Sequence, residues 1–260
     1  GGGRGGCGGE CSAVGTGGVG GWVGAKVADG VGACAPYLER NVDVKREYAA
    51  HIAPDRDPYA VLFEDYEPCL PLSQAESILE SLRETLVPMI DAIRASDHDL
   101  AVDTFQGTFP VDDQEALARD ALELLAYDFD RGRLDVSSHP FTSGNQFDCR
   151  VTTRFDESDV LGALTSTIHE FGHAQYNLGL PKEAWGTPLG ESRDLSVHES
   201  QSRLFENHVG RSRAFWEAFL PAVHDRLPET TDATVEDAYE AVNQVYEDNL
   251  IRVEADELTH

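Results

Sequence analysis

The chain has 260 residues and a formal net charge of -27 at pH 7, because 47 acidic residues outnumber 20 lysines and arginines. This length is enough for one large domain or two small ones with a sizeable buried core. So acidic a surface repels nucleic acid and anionic membranes, which excludes binding through a basic patch, and no stretch is long and apolar enough to predict a membrane span.

Lysine is nearly absent and occurs only at Lys26, Lys45 and Lys182, while arginine supplies the other positive charges. Dense carboxylates with so little lysine are typical of a protein that stays soluble in concentrated salt. Salt screens the self-repulsion that would otherwise weaken the fold. We therefore expect a halophilic source.

The cysteines are odd in number and scattered, so they do not describe a disulfide framework. The N-terminus also lacks the uncharged apolar core of a signal peptide. Both features predict a cytoplasmic protein in a reducing compartment.

Residues 1–33 are dominated by glycine and contain too few large apolar side chains to offset the entropy of ordering them. We expect this segment to be disordered. Cys7 and Cys11 form a C-x-x-x-C pair, but nothing downstream completes a zinc ligand set. Residues 34–260 are expected to form one helical domain.

The pattern becomes helical at Ala35, and Pro54 and Pro58 interrupt it. The turn sequence Asp57-Pro58-Tyr59 predicts the start of a short helix that runs toward Tyr66. The first part of the chain is therefore predicted to form two helices separated by a break.

A longer helix follows, for which Ser73 is the predicted N-cap and Glu76 the partner three residues later, in a capping-box arrangement. Pro88 lies inside this helix and is expected to kink it. Asp112 is predicted to open another helix that extends to Ala126.

Residues 129–153 contain glycines, a proline and the β-branched run Val151-Thr152-Thr153, which predicts loops with room for a short hairpin. Arg150 and His139 lie in this segment and could contact a substrate. Arg150 could equally pair with one of the abundant carboxylates, and His139 could be a structural histidine before a proline turn.

The next segment carries the sequence H-E-x-x-H within a helical pattern, whose apolar residues are Leu161, Leu164, Ile168 and Phe171. His169 and His173 are one turn apart, so both imidazoles project from one face and can hold a single ion. Neutral imidazoles bind zinc without cancelling its charge, so the metal can acidify water to a pKa of about 7. Glu170 could then take a proton from that water.

A second helix is predicted from about Ser196 to Leu220, and it should supply a third ligand, because a catalytic zinc needs three protein ligands. Five residues are chemically able to fill this position: Asp194, His198, Glu199, Glu206 and His208. Glu199 is attractive because an antiparallel helix could present it to the same ion, but spacing alone does not decide. The last helix is predicted from Val235 to Leu258.

Five motifs in this order resemble those of the carboxypeptidase Taq family of metallocarboxypeptidases, and the resemblance runs from about Ala35 to the end. They are His139-Pro140-Phe141, Asp148-x-Arg150-x-Thr152, His169-Glu170-x-x-His173, His198-Glu199-Ser200-Gln201 and Ile251-Arg252-x-x-Ala255-Asp256. The resemblance implies a mainly α, multi-helix zincin-like fold with a deep groove, and removal of single amino acids from peptide C-termini.

The resemblance also implies roles for single residues. It makes Glu199 the third ligand beside His169 and His173, and Glu170 the general base. An exopeptidase must also bind the terminal carboxylate of its peptide substrate, for which Arg150 and Arg252 are unranked candidates. Zinc is the implied metal, with cobalt as a substitute, and the full-length proteins usually form homodimers.

Members of the family are considerably longer and carry a further G-x-x-Q motif, which nothing after Asp256 matches. We therefore expect the domain to be incomplete at its C-terminus, with the metal ligands but without part of the groove wall. Two alternatives to a carboxypeptidase stay open: a zinc endopeptidase or oligopeptidase, and a non-catalytic metal-binding fragment.

Overall fold

The computed structural model of the chain describes Gly32 and residues 34–97 and 103–245. The glycine-rich start, Arg252 and the predicted end of the last helix lie outside these residues. The prediction of a mainly helical protein is confirmed: eight α-helices and one small sheet occupy the described ranges. None of these helices has the length and apolar composition needed to span a membrane.

The chain divides between Ile78 and Leu79 into two compact units. The first contains helices α1 (Ala35–Ile52) and α2 (Pro58–Phe63), which pack on each other, and the start of α3 (Leu72–Arg94). As predicted, α2 begins after Asp57, whose carboxylate accepts hydrogen bonds from two backbone amides of the first turn.

The predicted cap of α3 is wrong. The carbonyl of Pro71 accepts the first helical hydrogen bond, from the amide of Ala75 at 3.1 Å, so the helix begins at Leu72. Ser73 therefore lies inside the first turn and not at the cap. The helix continues through Pro88.

The second unit contains the sheet and the remaining helices. Helix α4 (Val111–Leu124) precedes the three strands β1 (Leu134–Val136), β2 (Phe141–Gly144) and β3 (Cys149–Thr153). Strand β3 is central: it pairs with β2 as an antiparallel hairpin and with β1 in parallel. The sequence predicted room for the hairpin but not the parallel third strand.

Helix α5 (Val160–Gly179) carries the H-E-x-x-H sequence and is the central helix of the unit, since twelve of its twenty residues are buried. Ile168 lies in a core cluster around the buried Trp216, and Phe171 lies in a second cluster against the sheet. Neighbouring side chains on the same side of α5 therefore pack into two different cores, which fixes the rotation of the helix.

The single helix predicted after α5 is wrong. The chain forms α6 (Leu195–Arg203), continues as a π-helical segment over Leu204–Gly210, and restarts as α7 (Arg213–Arg226). The restart has a local cause, because the Ser212 hydroxyl oxygen accepts a hydrogen bond from the amide of Phe215 at 3.1 Å. Helix α8 (Val235–Val242) begins at a capping box formed by Thr234 and Asp237. The prediction of an unbroken helix from Val235 to Leu258 is wrong, because the helix ends at Val242 and residues 243–245 are not helical.

Helices α5 and α6 approach each other closely at Gly172, which lies between the two histidines. A Cβ atom at this position would lie 2.5 Å from the carbonyl oxygen of Gln201 and 2.5 Å from Cα of Ser202. Both neighbouring atoms belong to backbone, so no side-chain rotation can relieve the overlap. The short distance between the two helices therefore depends on the absence of a side chain at Gly172.

We predict that Gly172→Ala destabilises the protein, because the methyl group must push α6 away from α5. Gly179→Ala is the matched control, since Gly179 belongs to the same helix and has no atom within 4 Å of the added Cβ position. Relative to this control, urea unfolding should show a loss of about 1–3 kcal/mol. Equal stability of the two variants would contradict the close contact.

Candidate metal centre

Helix α5 presents His169, Glu170 and His173 on its buried length, and α6 presents Glu199 opposite them. The two histidines are one turn apart, with ring centroids 4.9 Å apart. His169 is 5% exposed and Glu170 6% exposed, whereas the side chain of Glu199 is 37% exposed, so the cluster is buried on the α5 side and reaches solvent at Glu199.

Three donor atoms of this cluster converge. Nε2 of His169 and Nε2 of His173 each lie 3.5 Å from Oε2 of Glu199. One ligand atom from each of the three residues lies within 4.8 Å of the others. Ligands placed tetrahedrally about 2.0–2.1 Å from a zinc ion are about 3.4 Å apart, so the set fits a divalent cation of that size.

The protonation of His173 also fits a metal. Burial lowers the pKa of His173 to about 4, although the nearby Glu199 carboxylate acts in the opposite direction. The imidazole is therefore neutral near pH 7. Neutral imidazole is the form that binds metal ions, so no proton has to leave before binding.

The second ring nitrogen of His169 is held by a buried carboxylate. Nδ1 of His169 lies 2.9 Å from Oε2 of Glu206, which is fully buried on the π-helical segment. Arg203 and Arg211 each donate a hydrogen bond of 3.1 Å to the same carboxylate. Glu206 thus orients His169 while two guanidinium groups balance its charge.

The second ring nitrogen of His173 is held differently. Nδ1 of His173 lies 2.6 Å from Nδ1 of His198, and Nε2 of His198 lies 3.2 Å from Oδ1 of Asn177. The Tyr176 ring stands edge-on to the His198 ring, with centroids 4.9 Å apart. Burial lowers the pKa of His198 as well, so this contact joins neutral groups.

The carboxylate of Glu170 is positioned by the sheet. Thr142 on β2 lies within hydrogen-bond distance of Oε2 of Glu170 at 2.7 Å and of its backbone oxygen at 2.8 Å. Burial raises the pKa of Glu170, and the Thr142 hydroxyl opposes this shift by stabilising the ionised form. A carboxylate with a raised pKa is better suited to accept and return a proton near neutral pH.

The structure separates the five residues that the sequence left open as a third ligand. Glu199 alone among them shares the three-residue cluster with both histidines of α5. Asp194 caps α6 by accepting a hydrogen bond from the amide of Val197 at 2.9 Å. His198 and Glu206 contact the other ring nitrogens, as described above, and His208 is exposed.

The residues predicted to contact substrate are less closely associated with the cluster. Arg150 forms an ion pair of 2.7 Å with Asp148 and lies on the face of the sheet opposite Thr142, since it pairs with Ser143 while Thr142 pairs with Val151. His139 is exposed in the loop between β1 and β2. Arg252 lies outside the described residues.

Sequence reasoning missed Gly172 and Thr142, and it weighed Glu206 and His198 only as metal ligands. A signal existed for Gly172, because a glycine inside a helix costs about 1 kcal/mol and needs a packing reason. Thr142 carried no local signal, since its partner lies 28 residues further along the chain.

Comparison with known proteins gives one consistent result. Thermostable carboxypeptidase 1 of Thermus thermophilus is 39% identical over 249 residues, which are 92% of this chain and 49% of that protein. Carboxypeptidase 1 of Bacillus subtilis is 34% identical over 241 residues, again 92% of this chain and 48% of that protein. The chain thus spans about half the length of the curated relatives it matches.

A solved structure of an M32 carboxypeptidase from Deinococcus radiodurans R1 superposes with a TM-score of 0.79 at 39% identity, over 94% of this chain and 49% of that one. The family model described as carboxypeptidase Taq (M32) metallopeptidase matches residues 10–260, which begins earlier than the motifs read from the sequence. With a match over nearly its whole length, this chain belongs to the carboxypeptidase Taq (M32) family of metallopeptidases.

Proposed function

We propose that the chain is a metal-dependent carboxypeptidase, which hydrolyses the C-terminal bond of a peptide with Glu170 as the group that activates water. The observation that carries this proposal is the convergence of His169 Nε2, His173 Nε2 and Glu199 Oε2 beside a buried glutamate. Membership of a metallopeptidase family supports the same reading.

We assign the metal to these three residues. Two imidazole nitrogens and one carboxylate oxygen form a donor set that suits zinc, with cobalt as a substitute. A divalent cation held there supplies positive charge that polarises the substrate carbonyl and makes neighbouring water more acidic.

Glu170 then has two tasks. Its carboxylate accepts a proton from the attacking water and later donates that proton to the nitrogen of the departing amino acid. Groups of this kind contribute roughly 10²–10⁴-fold to a rate. The Thr142 contact orients the carboxylate, and burial keeps its pKa closer to the pH at which it works.

Recognition of the terminal carboxylate of the peptide remains assigned to Arg150 or Arg252, with His139 as a further contact. A cation is needed there because the chain carries a net charge of -27, which repels an anionic substrate end. Salt screens that repulsion, so the experiments below are best done in molar KCl. The resemblance supports zinc and, at full length, a homodimer, and the scattered cysteines support a reducing compartment such as the cytoplasm.

We predict that the metal-loaded protein shortens peptides one residue at a time from the C-terminus. Mass spectrometry of a peptide mixture should show a ladder of C-terminal losses, and the same peptides with amidated C-termini should resist. Removal of metal with EDTA should stop the reaction. Internal cleavage of the amidated peptides would indicate an endopeptidase, and stoichiometric metal without any cleavage would indicate a binding module.

We predict that Glu170→Gln keeps the metal and loses turnover. The amide has nearly the same shape as the carboxylate but cannot take a proton from water, so kcat should fall by roughly 10²–10⁴-fold. Zinc content by atomic absorption should equal that of the unchanged protein. Undiminished hydrolysis in this variant would reject Glu170 as the base.

We predict that Glu199→Ala weakens zinc binding, because it removes the carboxylate oxygen that lies 3.5 Å from Nε2 of both His169 and His173. Affinity should fall by more than about 100-fold, since loss of an outer partner of a ligand already costs about 10–100-fold. Glu191→Ala is the matched control, because Glu191 is an exposed glutamate shortly before α6. If chelator competition gave the same affinity for both variants, the third ligand would be another residue.

A further inference from the structure

Two histidine rings share one proton in this centre. Nδ1 of His173 and Nδ1 of His198 lie 2.6 Å apart, which is hydrogen-bond distance. Two lone pairs or two N–H groups would repel each other at this separation, so one nitrogen donates and the other accepts. The contact alone does not say which histidine is the donor.

The opposite sides of the two rings decide between the arrangements. Nε2 of His173 faces Oε2 of Glu199 at 3.5 Å, where the proposed metal binds. A neutral imidazole that binds a metal through Nε2 carries its proton on Nδ1. His173 is then the donor, Nδ1 of His198 accepts, and His198 must carry its own proton on Nε2.

Asn177 selects the same arrangement without reference to a metal. Its Oδ1 lies 3.2 Å from Nε2 of His198 and can only accept a hydrogen bond, so it favours a proton on that nitrogen. In the same orientation of the amide, Nδ2 donates to Sγ of Cys149 at 3.6 Å. Asn177 follows His173 by one helical turn, so α5 supplies both ends of this chain of contacts.

We infer that His198 is a positioning residue, which holds the proton of His173 on Nδ1 and so presents Nε2 to the metal. This inference rests on the proposed metal centre. His198 and Glu199 are neighbours on α6, and together they contact both nitrogens of one imidazole. Asn177 and the Tyr176 ring hold His198 in the matching tautomer and orientation.

The tautomers can be observed directly in the unchanged protein. In zinc-loaded protein with ¹⁵N-labelled histidine, long-range ¹H–¹⁵N correlation should show His173 protonated at Nδ1 and His198 protonated at Nε2. His198 protonated at Nδ1 would overturn the inference. This measurement does not depend on the folding of any variant.

Substitutions test the consequence for metal binding, with zinc affinity measured by chelator competition. His198→Leu removes the acceptor and should weaken zinc binding by about 10–100-fold. His198→Asn should restore most of the affinity, because Oδ1 of asparagine can occupy the position of the histidine Nδ1. Asn177→Leu should have a smaller effect in the same direction.

His208→Leu is the control, since His208 is exposed on the π-helical segment that follows α6. Thermal unfolding of the metal-free proteins shows whether a variant has lost its fold. Recovery of zinc affinity in His198→Asn shows that His198→Leu loses the positioning of His173. If zinc binds the unchanged protein and the His198→Leu variant equally, the inference fails and the metal centre stands. If the unchanged protein binds no zinc, the proposed metal centre itself fails.

Discussion

The close contact of α5 and α6 at Gly172 is the constraint on which the centre depends. A Cβ at this position would meet the backbone of Gln201 and Ser202 at 2.5 Å, so the two helices can lie at this distance only with glycine there. The contact lies between the two histidines of α5 and close to Glu199 on α6. The Ser202 hydroxyl, at the point of contact, lies 2.8 Å from the Glu199 carboxylate and 2.8 Å from the Glu199 backbone oxygen, so it ties this glutamate to the contact.

Glu206 contributes more to the orientation of His169 than to the stability of the fold. A buried carboxylate with two arginines is expensive to desolvate, and an apolar replacement of similar volume is often as stable. Glu206 is fully buried, yet it pairs with Arg203 and Arg211 and still contacts Nδ1 of His169 at 2.9 Å. The two arginines balance its charge, so it can orient the imidazole without contributing an unpaired buried charge.

The sequence predicted those features that are encoded over one or two helical turns. The spacing of His169 and His173, the break at Pro58 and the helical character of most segments all depend on near neighbours. The sequence did not predict contacts between residues far apart in the chain: Thr142 contacts Glu170 across 28 residues, and Glu206 contacts His169 across 37. Apolar periodicity continued past Gly210, so it predicted one helix where the Ser212 cap starts a new one.

The same distinction explains why the sequence alone left five candidates for a third ligand. Five residues near α6 have the right chemistry, and what separates them is the rotation of α6 against α5. With the backbones in contact at Gly172, Glu199 faces Nε2 of both His169 and His173. Its neighbour His198 contacts Nδ1 of His173. Two carboxylates, Glu170 and Glu199, lie in this cluster beside the His173 imidazole, which is neutral near pH 7. A divalent cation bound between them would offset their mutual repulsion, so the charge distribution itself favours metal binding.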